Sequence, residues 1–265
     1  MFKRMRGWLW RGLWLGLAAA SGVAAEPLTY EPVALGWTAE EVEQSASGQL
    51  IGIVQRAQER RSLGCSTHCA RLNRLFADLV VQARGQSLRA YALPWTLTVV
   101  RLEDVEALAL PGGQVLISEP FIDREVGADD AALAFVLAHE MSHSILEHER
   151  QALTFARLLL PRQVPRSVQD MYVEMDFNLG LLRAMAPALQ QGEFEADELG
   201  LLLAAAAGHR PDRQLAFLDH EASEANTTPP PPVVATHPAL PERLARLRAL
   251  LPLAWRVWAA AHPAP

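Results

Sequence analysis

The chain has 265 residues, of which 24 are basic, 30 are acidic, two are cysteine and half are apolar. Because the net charge is negative and the basic residues cluster only at the N-terminus, the composition argues against nucleic acid as a partner. It also excludes wholesale disorder and a small disulfide-framework protein. We expect a single domain over residues 26–265, a length that can bury a sizeable core.

The first 25 residues have the pattern of a secretory signal peptide. Basic residues come first, residues 7–20 are apolar apart from Arg11, and small residues lead up to Ala25. This pattern predicts cleavage after Ala25 and export to the periplasm. An uncleaved membrane anchor is the alternative, but Arg11 leaves a stretch shorter than the span of about 20 apolar residues that a bilayer requires.

Export bears on the two cysteines. Cys65 and Cys69 are four residues apart, and in an oxidising compartment this spacing predicts a short-loop disulfide. The alternative is a metal site that also uses His68, but it needs reduced thiols and has no fourth ligand nearby in the sequence.

The first half of the remaining chain predicts two helices and then a small sheet. Thr38 and Glu41 form a capping-box pattern that opens a helix reaching Arg61. A second helix is expected from about His68 to Gln82, with a buried apolar stripe. Strands are expected at 95–102, 107–110 and 114–118, the last two joined by a Pro-Gly-Gly turn.

The second half predicts mostly helix. A long helix opens at Asp129 or Asp130 and is expected to reach about Arg150. A less regular stretch over 152–177 follows. Further helices are expected at about 178–207, with a break allowed at Pro187, and at about 239–261. The fold class is therefore α+β, mainly helical with a small sheet.

The most informative motif is His139-Glu140-Met141-Ser142-His143, inside the helix that opens at Asp129. At about 100° per residue, His139 and His143 lie about 40° apart on one helix face, so both imidazoles can meet one metal ion. Glu140 is offset by about 100° and flanks the metal without binding it. Neutral imidazoles suit Zn²⁺, and a nearby carboxylate can act as general base on a water molecule. We expect His148, five residues past His143, to lie too far around the helix to reach the metal.

A third protein ligand is expected in the acidic segment 193–198. Glu193 and Asp197 are four residues apart, so one can bind the metal while the other hydrogen-bonds to a ligating histidine. The alternative is a solvated acidic face that includes Glu195 and Glu198. The preceding histidine motif favours the metal-binding interpretation of this segment over a solvated acidic face.

These motifs together resemble the gluzincin zinc metallopeptidases of the HtpX, BepA and CAAX-prenyl-protease type, peptidase family M48. Besides the two metal motifs, residues 107–115 resemble the NAFALPGG segment of that family, although Glu106 stands where Asn is usual. Residues 236–238, followed by Arg243, resemble its C-terminal THP…R segment. The resemblance covers about residues 40–250 and fits a BepA-like periplasmic branch without a visible repeat domain.

The resemblance implies a zincin-like domain with a small sheet beside the HExxH helix, and one Zn²⁺ per chain. It implies that His139, His143 and Glu193 bind the metal, that Glu140 is catalytic, and that Asp197 supports a ligand from behind. It also makes His237 and Arg243 candidates for a latch that closes the site at rest, or for stabilising the transition state.

The expected function is an exported zinc endopeptidase that hydrolyses unfolded or misassembled envelope proteins, with outer-membrane or envelope assembly proteins as partners. One alternative is a zinc-containing periplasmic chaperone or assembly factor with a latched protease site; another is a structural protein with a chance motif. The strand at Gly113, Gln114, Val115 and Leu116 is expected to bind peptide by β-addition. The stretch 152–177 is interpreted either as a lid or as a packed connection.

Overall fold

The computed structural model describes residues 36–161, 163–225 and 236–262, with side chains undescribed at 47, 49 and 220–225. The predicted signal peptide lies outside these ranges. The described α-helices are α1 (Ala39–Glu59), α2 (Cys69–Gln86), α3 (Leu88–Ala92), α4 (Glu119–Phe121), α5 (Asp130–Leu146), α6 (His148–Leu159), α7 (Val168–Phe177), α8 (Leu179–Ala206), α9 (Pro211–Ala225) and α10 (Leu240–Ala261). A π-helical turn, Ile122–Val126, follows α4. None of the helices within the described ranges is long and apolar enough to cross a membrane.

A three-stranded sheet is built from β1 (Thr96–Val100), β2 (Ala107–Leu110) and β3 (Gln114–Ser118). The strand order is β1-β3-β2, with β3 parallel to β1 and antiparallel to β2. Gly112 and Gly113 turn the chain between β2 and β3 at φ angles of 86° and 76°, which glycine adopts without a steric penalty. The predicted α+β class, mainly helical with a small sheet, is confirmed.

The central position of β3 corrects the prediction that Gly113, Gln114, Val115 and Leu116 bind peptide by β-addition. Leu116 lies opposite Thr98 of β1 on one side and Leu108 of β2 on the other. The Gly113 carbonyl already accepts a hydrogen bond from the Thr96 N–H. Because β3 is paired on both sides, it has no free edge for another strand. The sequence pattern located the strand but does not determine strand order.

Helix α5 forms the centre of the core. Its residues 131–139 are all buried, and Leu133, Leu137 and Met141 are fully inaccessible to solvent. It packs against α8, α9, α2 and β2. A helix enclosed on every side holds its side chains in fixed positions, which a metal site requires.

The predicted long helix ends earlier than expected. Instead of continuing to Arg150, α5 stops at Leu146, where Glu147 adopts a left-handed conformation with a φ of 58°. Arg89 and Arg150 both form ion pairs with the Glu147 carboxylate, and the Gln151 side chain donates to the Leu146 carbonyl. These contacts stabilise a backbone angle that a glutamate rarely adopts.

The prediction of a less regular stretch at 152–177 is also wrong. Most of it belongs to α6 and α7, with Pro161 and Pro165 between the two helices. Ser167 and Asp170 form a capping box at the start of α7, a signal that the prolines obscured. Helix α8, capped by Asn178, passes through Pro187 as one helix. Helix α9 was not anticipated.

Candidate metal centre

Two histidines of α5 converge on one point. Their spacing of four residues places His139 and His143 on successive turns of the same helix face. Their Nε2 atoms lie 3.1 Å apart, and their side chains are 11% and 21% exposed. Because zinc–nitrogen bonds are about 2 Å long, this separation lets both rings share one ion.

Glu193 of α8 completes a group of three donors. Its Oε2 lies 3.5 Å from His139 Nε2 and its Oε1 lies 3.6 Å from His143 Nε2. One potential ligand atom from each of the three residues lies within 4.8 Å of the others. Helices α5 and α8 thus bring together residues that are 50 or more positions apart in the sequence.

Asp197 lies one turn further along α8, behind His139. Its Oδ1 is 3.0 Å from His139 Nδ1, and its side chain is only 2% exposed. Arg243 of α10 holds the same carboxylate through two hydrogen bonds of 2.7 and 2.6 Å. The sequence left open which carboxylate faces the metal, and the structure places Glu193 at Nε2 and Asp197 at Nδ1. The latch or transition-state role of Arg243 stays a prediction.

His148 comes closer to the centre than the sequence indicated. The angle calculated for an unbroken helix does not apply, because α5 ends before His148 and α6 begins there. The His148 Nδ1 lies 3.0 Å from His143 Nδ1, and its Nε2 lies 3.3 Å from the Glu195 carboxylate. Sequence reasoning therefore did not place His148 and Glu195 beside His143. Neither the left-handed Glu147 nor the turn that it produces has a clear sequence signal.

Glu140 lies between the two histidines in sequence and beside the sheet. Burial raises the pKa of its carboxyl, and a hydrogen bond from the Ala109 backbone of β2 partly opposes that effect. A shift in this direction favours general acid–base catalysis, because a carboxyl with a raised pKa is a stronger base toward a water proton.

The charges at the centre are strongly coupled. Burial lowers the pKa of His139, but the carboxylates of Asp197 and Glu193 outweigh burial and raise that pKa to about 10. Burial, aided by the neighbouring His139, lowers the pKa of His143 to about 3. For Glu193, burial acts upward, but the His139 contact dominates and lowers the pKa to about 2. The cluster therefore holds an ionised carboxylate and a neutral imidazole that face the same point.

His237 approaches the centre from the segment before α10. Its Nε2 lies 3.7 Å from Glu193 Oε1, and its side chain is 68% exposed. Its Nδ1 is 3.2 Å from the Thr236 hydroxyl. The structure therefore brings His237 next to the predicted ligand set, on the solvent side.

A cavity of about 340 Å³ opens beside His143 and Glu193. Its walls come from α6, α7 and α8 and are mostly apolar. The apolar side chains that line it are Ala152, Phe155, Met175, Met185, Ala188 and Leu189. A cavity of this size and character can hold one large apolar side chain next to the metal centre.

Gly200 sets the distance between α8 and α5. A Cβ atom at this position would lie 2.9 Å from the backbone nitrogen of His139 and 3.0 Å from its Cα. Any side chain would therefore push the two helices apart. This close approach brings Glu193 and Asp197 of α8 within reach of His139.

Cys65 and Cys69 are joined by a disulfide at the start of α2, with their Cα atoms 5.5 Å apart. The loop that they close wraps around the buried Glu119 carboxylate, which accepts hydrogen bonds from the backbone of Ser66, Thr67 and His68. The His68 ring contacts Asp123 at 2.8 Å. The alternative metal site with His68 is therefore not what the structure shows.

The donor chemistry at His139, His143 and Glu193 fits zinc. Two imidazoles and one carboxylate form a set used by catalytic zinc sites, which keep a fourth position for water or substrate. The Asp197 contact to His139 supplies the outer hydrogen bond that metal-binding histidines commonly make. With Glu140 alongside on a central buried helix, the fold and the site define a metallopeptidase.

Comparison with known proteins gives the family. The family model described as Peptidase family M48 matches residues 67–251. This match covers well over half of the chain, and the chain belongs to peptidase family M48, a family of metallopeptidases.

Individual relatives are more distant. The chain is 29% identical over 167 residues to the mitochondrial metalloendopeptidase OMA1 of Schizosaccharomyces pombe. The aligned residues make up 60% of this chain and 48% of the relative. It is 25% identical over 169 residues to the beta-barrel assembly-enhancing protease of Escherichia coli, and the alignment covers 58% of this chain and 34% of that relative. For human OMA1 the identity is 27% over 187 residues, covering 62% and 33%. The chain therefore spans about half or less of the length of these relatives.

Proposed function

We propose that this protein is a zinc-dependent endopeptidase, exported to the periplasm, that hydrolyses unfolded or misassembled envelope proteins. The observation that carries the proposal is the convergence of His139, His143 and Glu193 on one point, with Glu140 beside them. A zincin-type donor set without an adjacent carboxylate would support metal binding alone, whereas Glu140 adds the group that peptide hydrolysis needs.

In the proposed reaction, His139, His143 and Glu193 would hold the zinc ion, which would supply Lewis-acid polarisation of the scissile carbonyl. Glu140 accepts a proton from the attacking water and then donates it to the leaving amine, a double role that its raised pKa favours. Asp197 keeps the His139 ring oriented, and Arg243 keeps Asp197 in place.

Substrate binding is assigned to β2, which replaces β3 in that role. Within the described part of the chain, β2 has a strand partner on one side only, and its Ala109 contacts Glu140. A peptide in extended conformation that pairs with this edge would pass in front of the metal centre. Since folded proteins rarely offer an extended, unpaired segment, this geometry favours unfolded substrates.

The cavity beside His143 and Glu193 adds a side-chain preference to this proposal. Its apolar walls favour a large aliphatic or aromatic residue next to the cleaved bond. Unfolded envelope proteins expose such residues, and their folded forms bury many of them.

Three observations support export to the periplasm. The N-terminal pattern is that of a signal peptide, and the Cys65–Cys69 disulfide is typical of oxidising compartments. One relative is named a beta-barrel assembly-enhancing protease, although others are named mitochondrial. Expression of the full chain in a Gram-negative host should yield a periplasmic form whose N-terminal sequence begins at Glu26; an intact N-terminus would contradict this part of the proposal.

The second candidate is a zinc-containing chaperone or outer-membrane assembly factor with a latched protease site. The position of His237, 3.7 Å from Glu193 and next to the centre, favours it. The variant His237→Ala separates the two: a large gain in proteolysis indicates a latch, and unchanged or lost proteolysis argues against one.

The proposed function is tested with an outer-membrane β-barrel polypeptide supplied either unfolded in dilute urea or folded in detergent. We expect internal cleavage of the unfolded form only, with fragments that begin at large apolar residues. Glu140→Gln should retain zinc and lose cleavage. The proposal fails if the purified, zinc-loaded protein leaves the unfolded polypeptide intact, or if Glu140→Gln cleaves as well as the unmutated protein.

A further inference from the structure

The two histidines of the candidate metal centre have different hydrogen-bond partners at Nδ1, the ring nitrogen that faces away from the metal position. His139 donates a hydrogen bond from its Nδ1–H directly to the carboxylate of Asp197. Behind His143 lies another imidazole, His148, whose ring centroid is 4.9 Å from that of His143 and nearly perpendicular to it. The Nδ1 atoms of these two rings are 3.0 Å apart, within hydrogen-bond range.

The hydrogen-bond chain continues beyond His148. Its Nε2 lies 3.3 Å from Glu195 Oε2, and the Gln191 amide donates to the other Glu195 oxygen at 2.9 Å. The His148 side chain is 10% exposed. The ring lies against Gly192, where a Cβ atom would be in ordinary van der Waals contact with it at 3.5 Å. The ring is thus enclosed between α5 and α8, with a polar partner at each nitrogen.

The order of donors along this chain follows from the role of His143. Because His143 Nε2 faces Glu193 and the metal position, the hydrogen of a neutral His143 ring lies on Nδ1. That N–H must donate to His148 Nδ1, which therefore accepts. His148 then carries its own hydrogen on Nε2 and donates it to the Glu195 carboxylate. Each donor has one acceptor, so the chain is consistent with a single pair of tautomers.

We propose that His148, oriented by Glu195, is a positioning residue that fixes the ring and tautomer of His143 for metal binding. It corresponds to Asp197 on the other histidine, but it reaches its carboxylate through a second imidazole. The inference rests on the proposed function, since it assumes that His143 binds zinc. His148 itself acts only through His143, because the group of potential ligands comprises His139, His143 and Glu193.

The test uses two substitutions at one position in the full chain. His148→Phe keeps a flat ring of similar size and removes the acceptor that faces His143. His148→Asn loses ring volume, but its amide oxygen can take the place of Nδ1 as an acceptor. We expect His148→Phe to bind zinc 10- to 100-fold more weakly, the loss typical for an outer-shell partner of a metal ligand, and His148→Asn to recover most of that loss.

Two measurements report on the metal itself and not on activity. Zinc affinity is measured by competition with a chromogenic chelator, and the visible absorption of the cobalt-substituted protein reports on ligand geometry. His148→Phe should shift the cobalt bands, and His148→Asn should not. Glu195→Gln should weaken zinc binding by a smaller factor than His148→Phe. Glu198→Gln, which removes a carboxylate from the same helix, is the matched control and should leave both readings unchanged.

Thermal unfolding of each variant shows whether it is folded. If His148→Phe binds zinc as tightly as the unmutated protein and gives the same cobalt spectrum, the inference is overturned. It is also overturned if His148→Asn binds zinc as weakly as His148→Phe, because the acceptor then has no role. If the unmutated protein itself binds no zinc, the proposed function fails first, and that result is distinguishable from a failure confined to His148.

Discussion

His139 and Asp197 are 58 positions apart in sequence, yet Nδ1 of the histidine lies 3.0 Å from Oδ1 of the aspartate. The contact joins the most buried helix of the core to the helix that supplies the third predicted ligand. An ionised partner at Nδ1 leaves Nε2 as the metal-facing nitrogen and increases its basicity. The orientation of the metal centre therefore depends on a residue that does not face the metal.

Asp197→Asn should weaken zinc binding by about 10- to 100-fold, because the amide keeps the shape of the carboxylate but removes its charge from the His139 contact. Chelator competition at neutral pH measures the change. Asp219→Asn is the control, since Asp219 forms an exposed ion pair with Arg248. Equal zinc affinity in Asp197→Asn and the unmutated protein would contradict this role.

Arg243→Ala should destabilise the fold by about 3 kcal/mol, because removing one member of a buried ion pair leaves the other charge uncompensated. Burial acts to raise the pKa of Asp197, but the hydrogen bonds from Arg243 and His139 outweigh it and lower that pKa. Urea unfolding measures the loss, and Arg243→Lys should fall in between because lysine keeps the charge without the paired hydrogen bonds. A change no larger than that of Arg248→Ala, which removes an exposed partner, would refute the prediction.

Gly200→Ala should reduce both stability and zinc affinity. The new Cβ would lie 2.9 Å from a backbone nitrogen of α5, so α8 must move outward and carry Glu193 with it. Overpacking of this kind costs about 1–3 kcal/mol. Gly52→Ala in α1 is the matched control, because its Cβ meets nothing within 4 Å and the change should be neutral or stabilising. Unchanged zinc affinity in Gly200→Ala would show that the helices adjust without moving the ligands.

Local signals in the sequence were sufficient for much of the fold. Thr38 and Glu41 form the predicted capping box, Asp129 caps α5, and the three strands fall within the predicted ranges 95–102, 107–110 and 114–118. The pairing of His139 with His143 also needs only helix geometry. Each of these features depends on residues within four positions of one another.

What the sequence could not reveal depends on contacts between distant segments. Glu147 adopts a left-handed conformation where Arg89 of α3, which is distant in the sequence, and the nearby Arg150 both pair with its carboxylate. The central position of β3 depends on its pairing with β1 as well as with β2. The contact of Arg243 with Asp197 joins α10 to α8 and has no local pattern. The contact of His148 with His143 was missed for the same reason, because the prediction assumed that α5 continued.

The buried Glu119 should give the protein a specific acid sensitivity. Burial would raise its pKa, but backbone hydrogen bonds from His68, Thr67 and Ser66 outweigh burial and lower it. A carboxyl with a lowered pKa in the folded state stabilises the fold above its unfolded pKa, and that contribution is lost as the pH falls through the folded value. Glu119→Gln should therefore cost about 2 kcal/mol at pH 7 and progressively less below about pH 4.

Urea unfolding at pH 7 and at pH 3.5 measures this difference. The control is Glu103→Gln, whose side chain is 83% exposed and should change stability little at either pH. If Glu119→Gln lowers the free energy of unfolding equally at both pH values, the claim that Glu119 is ionised within the disulfide loop's hydrogen bonds is contradicted.

The most direct test of the account is crystallography of the full chain with zinc, with anomalous data collected on both sides of the zinc absorption edge. We predict one strong anomalous peak per chain, about 2 Å from Nε2 of His139, Nε2 of His143 and one carboxylate oxygen of Glu193. A zinc peak elsewhere in the molecule, or none at these three residues in crystals grown with excess zinc, would contradict the central claim.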